Sequence, residues 1–467
     1  MQADKSSDSS PPKLNLFHGT ALVIGSMFGI GIFLYPPLVA KYTGSFSLFL
    51  LVWLLGGFIS FCGALAYSEL GVLFPKAGGD YTFHKEILGD ATGFASGWLL
   101  FLGIFSGSIA TMTSAIIYFQ FSNLLDLDFS IAFLNYPWGG TLNLSEIGAC
   151  GIILFFTLSN MISIRFSGNL QVVLTVIPVT LVLAFCLYGV IIHKGLPHHD
   201  VSKIPASSQF DFIKAYLLVY FAYAGWNAVV YFSGDFRNPQ KDVPFSLLMG
   251  TGATTLIYFI LGAAFVSILG FYGLQQVPEA GTAIAGIIGG RKAETIMTAL
   301  IALAILASIN GTVLAGGKIG YAMAREGTLG IKLEKDHQPV RWQNLLFILQ
   351  AFWSIILILT GSFEALTELT SLAMLVTAGL SMVALFLIRK KKKAQKSLFK
   401  FKGFMLAPWI FFIINIFVLS VSMYTAILHT QEDTTGGIKA WYSLIGLFIF
   451  LFLLMGHKIV SKINKNR

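Results

Sequence analysis

The sequence predicts an all-α membrane protein of twelve transmembrane helices, the first and sixth of them broken, on three observations. Apolar residues make up 55% of the 467 positions and charged residues only 11%, with a mean hydropathy of +0.76, whereas a soluble domain carries about 25% charge. About twelve stretches reach the ~20 apolar residues that cross ~30 Å of hydrocarbon, which leaves little chain for a soluble domain. Two of those stretches, residues 19–37 and 216–234, are interrupted near their middles by small residues.

The first interrupted stretch carries Gly25, Gly29 and Gly31 and closes on Pro36 and Pro37; the second gathers small residues around Ala224 and Gly225. Glycine is common in membrane helices, where it lets backbones approach, so one such stretch alone means little. A pair, one in each half of the chain, is a pointer to a transporter binding site. Non-helical backbone at bilayer depth persists only where protein or a water-filled cavity satisfies its free N–H and C=O groups. A break exposes N–H donors with partial positive charge on the half after it, which suit a carboxylate. It also frees carbonyls on the half before it, which suit an ammonium group. Together those ends describe a site for a zwitterion.

Taken in order, the expected spans are 16–41, 46–73, 92–120, 146–164, 167–193, 211–234, 245–271, 293–324, 342–360, 363–388, 403–428 and 438–460. Residues 1–15 read as a disordered cytoplasmic tail and 461–467 as a second one. Twelve spans put both termini on one side. With that side cytoplasmic, 23 Lys and Arg fall inside, 7 outside and Lys318 within a span, the asymmetry of a multi-pass plasma-membrane protein with cytoplasmic termini. The densest basic block, Arg389 to Lys393 with Lys396, Lys400 and Lys402, makes the net charge of +9 a topology signal. It reads as a stop-transfer loop, with an anionic-lipid patch as the alternative, and no nucleic-acid partner is needed to explain it. The three cysteines, Cys62, Cys150 and Cys186, all fall within expected spans and imply no disulfide framework.

The small residues Gly56, Gly57, Gly63, Ala64 and Ala66 of the second span read as tight helix packing. The loop that follows, F-P-K-A-G-G-D-Y-T-F-H-K-E-I-L-G-D, is too apolar for a free linker and too polar for a span. A re-entrant or gate-forming segment is the expectation there. At this point the motifs converge. The G-x-G-I-F at 29–33, the run from Gly63 to Tyr81, the F-A-Y-A-G-W-N at 221–227, the F-R-N-P-Q-K-D-V-P from Phe236 to Pro244 and the A-S-I-N-G-T at 307–312 resemble the amino acid–polyamine–organocation superfamily. Within it the chain is most similar to the L-type amino acid transporters.

That resemblance implies a five-plus-five inverted repeat, with residues 16–193 as spans one to five, 211–390 as spans six to ten and 403–460 as two additional spans. The repeat agrees with the topology: span one enters from the cytoplasm and span six from outside, so the two broken helices run antiparallel. The implied binding residues are Ser26, Met27, Phe28, Gly29, Ile30 and Gly31 with Phe221, Ala222, Ala224, Gly225 and Asn227. The N–H groups of Gly29, Ile30 and Gly31 are expected to hold the substrate carboxylate, with Ser26 nearby. The carbonyls of Met27, Phe221 and Ala224 are expected to take its ammonium, and Phe221 to act as the outer gate. Arginine–agmatine and polyamine antiporters carry a glutamate where this chain has Asn227, so neutral substrates are favoured over cationic ones. Animal L-type relatives carry a cysteine in the loop after span three that ties them to a single-span glycoprotein; residues 121–145 contain none, which argues against a covalent heavy chain.

Two regions depart from the family or add to it. Pro178 stands where many L-type relatives have a lysine that stands in for a sodium ion, which leaves the coupling open between exchange and H⁺ or Na⁺. Ser308, Asn310 and Thr312 in span eight, and Glu364 and Glu368 one turn apart in span ten, are the candidates for an ion or proton site. Lys318 lies close enough to the cytoplasmic end to snorkel. No enzyme constellation, cofactor motif or metal site is credible: the eight histidines are scattered and the G-x-G follows no strand. The expectation is a secondary transporter, monomer or homodimer in the lipid bilayer, exchanging neutral L-amino acids by alternating access. A cationic amino acid or polyamine transporter coupled to protons or sodium, and a sensor on the same fold, are the alternatives.

Overall fold

The computed structural model describes residues 14–125, 131–135, 141–192, 209–328, 339–360, 363–391, 405–432 and 451–455. The first apolar stretch forms α1 (Leu16–Met27) and α2 (Gly31–Thr43), bent by 45° at residues 28–30. Asn15 caps α1 by accepting from the His18 N–H, and Gly44, at φ 63, ends α2 in the left-handed conformation that glycine adopts without strain. Next come α3 (Phe46–Leu73), capped by Ser45, and the short α4 (Asp80–Leu88). The third span starts as α5 (Asp90–Trp98) and continues as α6 (Ser106–Ile116), with π-helical turns at Leu99–Phe105 and Ile117–Phe121, and ends in α7 (Ser122–Leu125). A two-stranded antiparallel hairpin, β1 (Ala132–Asn135) and β2 (Thr141–Asn143), is an addition to the expected all-α architecture.

Helices α8 (Leu144–Ile162), opened by an Asn143/Glu146 capping box, and α9 (Ile164–Ile192) follow. The second interrupted stretch is α10 (Gln209–Ala222), a turn at 223–227, and a 3₁₀ segment Ala228–Asp235. After it lie α11 (Pro239–Leu269), α12 (Phe271–Leu274), α13 (Ala280–Arg325), α14 (Pro339–Thr360), α15 (Phe363–Lys390) and α16 (Ala407–Glu432). Among the described residues nine helices are long and apolar enough to cross a membrane, ten when α1 and α2 count as one bent span. The sixth expected span is not among them because its helix stops at Ala222. Of the twelfth, residues 451–455 are helical and the rest lies outside the described residues.

The helices hold opposite kinds of surface. In α13 the most apolar window is 72% buried, whereas in α9 it is 33% buried at a mean hydropathy of 2.5. An apolar helix with only a third of its residues buried in the protein is one that faces lipid. The broken α1 is sheathed by α9, α11 and α13, and α10 packs on α2 and α3, so both breaks lie in the interior. The loop after α3 bends through Gly78 (φ 111) and Gly79 (φ 51) and returns as α4, whose first five residues, Asp80 to His84, are buried. This segment therefore inserts into the bundle, as its mixed composition suggested.

Candidate functional site

The two breaks meet face to face. A Cβ on Gly31 would come within 3.0 Å of the Ala222 Cα, and one on Gly225, at φ 98, within 2.7 Å of the Ser26 carbonyl oxygen. Only glycine permits that approach. Beside the contact lies a cavity of about 250 Å³. Ser26, Met27, Gly29, Ile30 and Gly31 line it from α1 and α2, and Phe221, Ala222, Ala224, Gly225 and Asn227 from the second break. Phe28 does not: it is buried behind the break, edge-on to Phe33 at 5.6 Å.

The backbone groups at the breaks divide into used and unused. Gly29 N–H donates back to the Met27 carbonyl at 2.9 Å, so it is not the free donor that the glycine spacing suggested. The N–H groups of Ile30 and Gly31 have no hydrogen-bond partner among the described residues and stand at the N-terminus of α2. Of the three expected carbonyls, Met27 accepts from the Tyr258 hydroxyl at 2.5 Å and Phe221 from the Ala224 N–H at 3.0 Å, whereas that of Ala224 has no partner among the described residues. The Ser26 hydroxyl is buried, lines the cavity and is likewise without a partner there.

Tyr258, on α11, carried no signal in the sequence, where it is one more aromatic in an apolar span. Its hydroxyl reaches the carbonyls of both breaks, Met27 at 2.5 Å and Ala222 at 3.1 Å. It clamps the two interrupted helices together. The cavity's remaining polar lining was also missed: Ser108 and Thr111 from α6, Thr370 and Thr377 from α15, and Tyr35, Tyr220 and Tyr231. Single hydroxyls in apolar spans are too common to single out.

The candidates in spans eight and ten separate. Ser308 and Thr312 line the cavity, with the Ser308 hydroxyl donating to the Gly25 carbonyl at 2.7 Å. Asn310 does not line it; its amide bonds Gln171 at 2.8 Å and receives the Asn160 amide at 3.1 Å. Glu364 and Glu368 fall in the first turns of α15, and their side chains lie outside the described residues. Lys318 does not snorkel: it is 6% exposed and forms an ion pair with Asp235 at 2.9 Å. The α9 side chains Gln171 and Thr175, one to two turns before Pro178, pack against α1 at Gly25. The Thr175 hydroxyl bonds the Ala21 carbonyl at 3.2 Å.

The deciding comparison is with protein families: the amino acid permease family matches residues 14–451. The chain belongs to that family. This permease is a multi-pass membrane transporter, and among its described residues no group of three His, Cys, Asp or Glu is placed to hold a metal ion. It is similar to the serine/threonine exchanger SteT of Bacillus subtilis (strain 168), 28% identical over 94% of this chain and 96% of that one. It is also similar to the human cystine/glutamate transporter, 27% identical over 93% of the permease and 85% of the relative. The human large neutral amino acids transporter small subunit 2 is 26% identical over 96% and 81%.

Proposed function

We propose that the protein exchanges neutral L-amino acids across the plasma membrane by alternating access, with both termini in the cytoplasm. The observation that carries this reading is the charge pattern of the cavity. Ile30 and Gly31, whose N–H groups at the α2 N-terminus are unpaired among the described residues, line it, and no Asp, Glu, Lys or Arg is among its described lining residues. The donors suit a carboxylate and the Ala224 carbonyl an ammonium. A charged substrate side chain would find no counter-charge, and burying it unpaired is costly. The hydroxyl lining from Ser108, Thr111, Thr370 and Thr377 favours small side chains that make a hydrogen bond, and one relative bears the name serine/threonine exchanger.

Phe221 is proposed as the gate: it lines the cavity half-buried, edge-on to Tyr220 at 5.6 Å. No covalent glycoprotein heavy chain is expected, because all three cysteines lie within helices, Cys62 and Cys186 buried and Cys150 partly so. The test is uptake of labelled amino acids into liposomes containing the purified protein, loaded or empty, with and without Na⁺. Exchange predicts uptake that requires an internal neutral amino acid and is indifferent to Na⁺. Strong uptake into empty liposomes that collapses with the ion gradient would replace exchange by ion coupling; binding without flux would make the protein a sensor.

A further inference from the structure

We propose that Asp80 is a proton-binding site coupled to the substrate cavity, joined to it through Tyr231 and Asn227 and supplied from the opposite side by His84 through Ser381. The inference rests on the exchange reading above and assigns it a linked proton. Asp80 opens α4, is 1% exposed and follows the tight bend at Gly79. Its carboxylate accepts from the Ser381 hydroxyl at 2.5 Å, the Tyr231 hydroxyl at 2.5 Å and the Asn227 amide at 3.5 Å. All three donors are neutral. The cations on the surrounding elements are committed elsewhere: Lys85 to Glu326 at 2.6 Å, Lys318 to Asp235 at 2.9 Å and Arg389 to Glu69 at 2.6 Å. Among the described residues no ion pair reaches Asp80. Tyr67 completes the surround from α3, its fully buried hydroxyl lying beside Asp80 and Ser381 as a further neutral group. A buried carboxylate without a counter-charge is stabilised by donors or by taking a proton.

Counting hydrogens fixes the direction of each bond. Ser381 gives its one proton to Asp80, so its lone pair accepts from His84 Nε2 at 2.9 Å. His84 is therefore the Nε2–H tautomer. Its Nδ1 is buried and has no partner among the described residues, and the Thr377 backbone lies within reach of the ring. Burial lowers the pKa of His84 to about 4, so the ring is neutral at physiological pH and can relay a proton without storing one. The transfer balances. A proton added at Nδ1 displaces the Nε2 proton to Ser381 Oγ, whose own proton passes to Asp80 Oδ1; Asp80 then donates to Ser381, and Ser381 back to Nε2. One proton has been added to Asp80, and the His84 tautomer has inverted.

The cavity reads that proton through two of its lining residues. While Asp80 is ionised, Tyr231 spends its only proton on it and can only accept from Asn227, 3.3 Å away. Both groups next to the amide accept, so the Asn227 nitrogen faces them and its oxygen is left for the cavity. A protonated Asp80 holds these donors less strongly, and the Tyr231 O–H and the Asn227 N–H become available to substrate. Substrate and proton affinity are then linked, each changing the other by the same factor.

The test uses the full-length protein in liposomes, with the internal pH varied over about 5.5 to 8 and counterflow KM and maximal rate recorded for the best exchanged amino acid. The expected wild-type KM changes with pH, by up to about tenfold per pH unit, the limit for one linked proton. Asp80→Asn, whatever its absolute rate, should hold KM constant within about twofold over the same range. Should that variant fail to fold, Ser381→Ala removes one donor from the carboxylate and should move the midpoint of the profile upward. A flat wild-type KM, a wild-type profile in Asp80→Asn, or an unmoved midpoint in Ser381→Ala would overturn the proposal. Absence of exchange with every neutral amino acid would instead defeat the exchange reading on which it rests.

Discussion

Gly31 shows how the site depends on backbone atoms. Its Cα lies against Ala222, its N–H is unpaired among the described residues, and a side chain there would push the two breaks apart while covering the donors. Gly31→Leu should therefore weaken substrate binding by about tenfold or more, the scale of an overpacked core. Ile30→Ala, which leaves the N–H in place, should change it by less than about threefold. Wild-type affinity in folded Gly31→Leu protein, measured by equilibrium binding, would refute the backbone-donor site. The glycine positions were legible because a second interrupted stretch, around Ala224 and Gly225, pairs with them in the other half of the chain. Tyr258, Asp80 and His84 were not, since what makes each informative is a partner far away in the chain: Met27, Ser381 and again Ser381.

Among the elements, α13 differs most from the periodicity reading, which began its span at residue 293. The helix starts at Ala280, and Gly290 at φ 63 kinks it, so that 280–289 forms an arm before the span proper. The arm is apolar enough to pack, with Gly281 close to Phe33, but too short to cross a bilayer, and hydropathy alone therefore set it aside. At its foot burial raises the Glu279 carboxyl to about 7, with the Gln120 amide 3.4 Å away. The sign is that of a raised acid: the folded arm prefers the protonated form. Its stability is greatest below the unfolded value near 4.5 and is lost as pH rises through about 7. Hydrogen exchange of residues 280–289, corrected for its intrinsic pH dependence, should be faster at pH 8 than at pH 5.5, and Glu279→Gln should remove the difference. Equal protection at both pH values in the wild type would show that Glu279 is not the group that docks the arm.

For the whole molecule, alternating access requires a barrier that opens on the side of the cavity where α4 inserts, and three ion pairs lie there. Lys318–Asp235 ties α13 to the end of the 3₁₀ segment, Arg389–Glu69 ties α15 to α3, and Lys85–Glu326 ties α4 to the end of α13. The backbone adds a seam, with the Leu14 N–H on the Asp235 carbonyl at 3.1 Å and the Arg237 N–H on the Leu14 carbonyl at 3.0 Å. Asp235 thus belongs to both locks, and Lys318 is the most buried of the three cations. Removing one partner of a buried pair costs about 3–5 kcal/mol where both are fully enclosed. Asp235 is 22% exposed at its side chain, so about 1–2 kcal/mol is the expected loss, a five- to thirtyfold change in the closed-to-open ratio. Lys318→Met should accordingly raise alkylation of a cysteine placed at Ser26, probed from the α4 side, and slow counterflow. The exchanged pair Lys318→Asp with Asp235→Lys should recover part of both. If Lys318→Met leaves labelling unchanged in folded protein, this ion pair is no part of the barrier, and the other two pairs with the backbone seam at Leu14 must close this side.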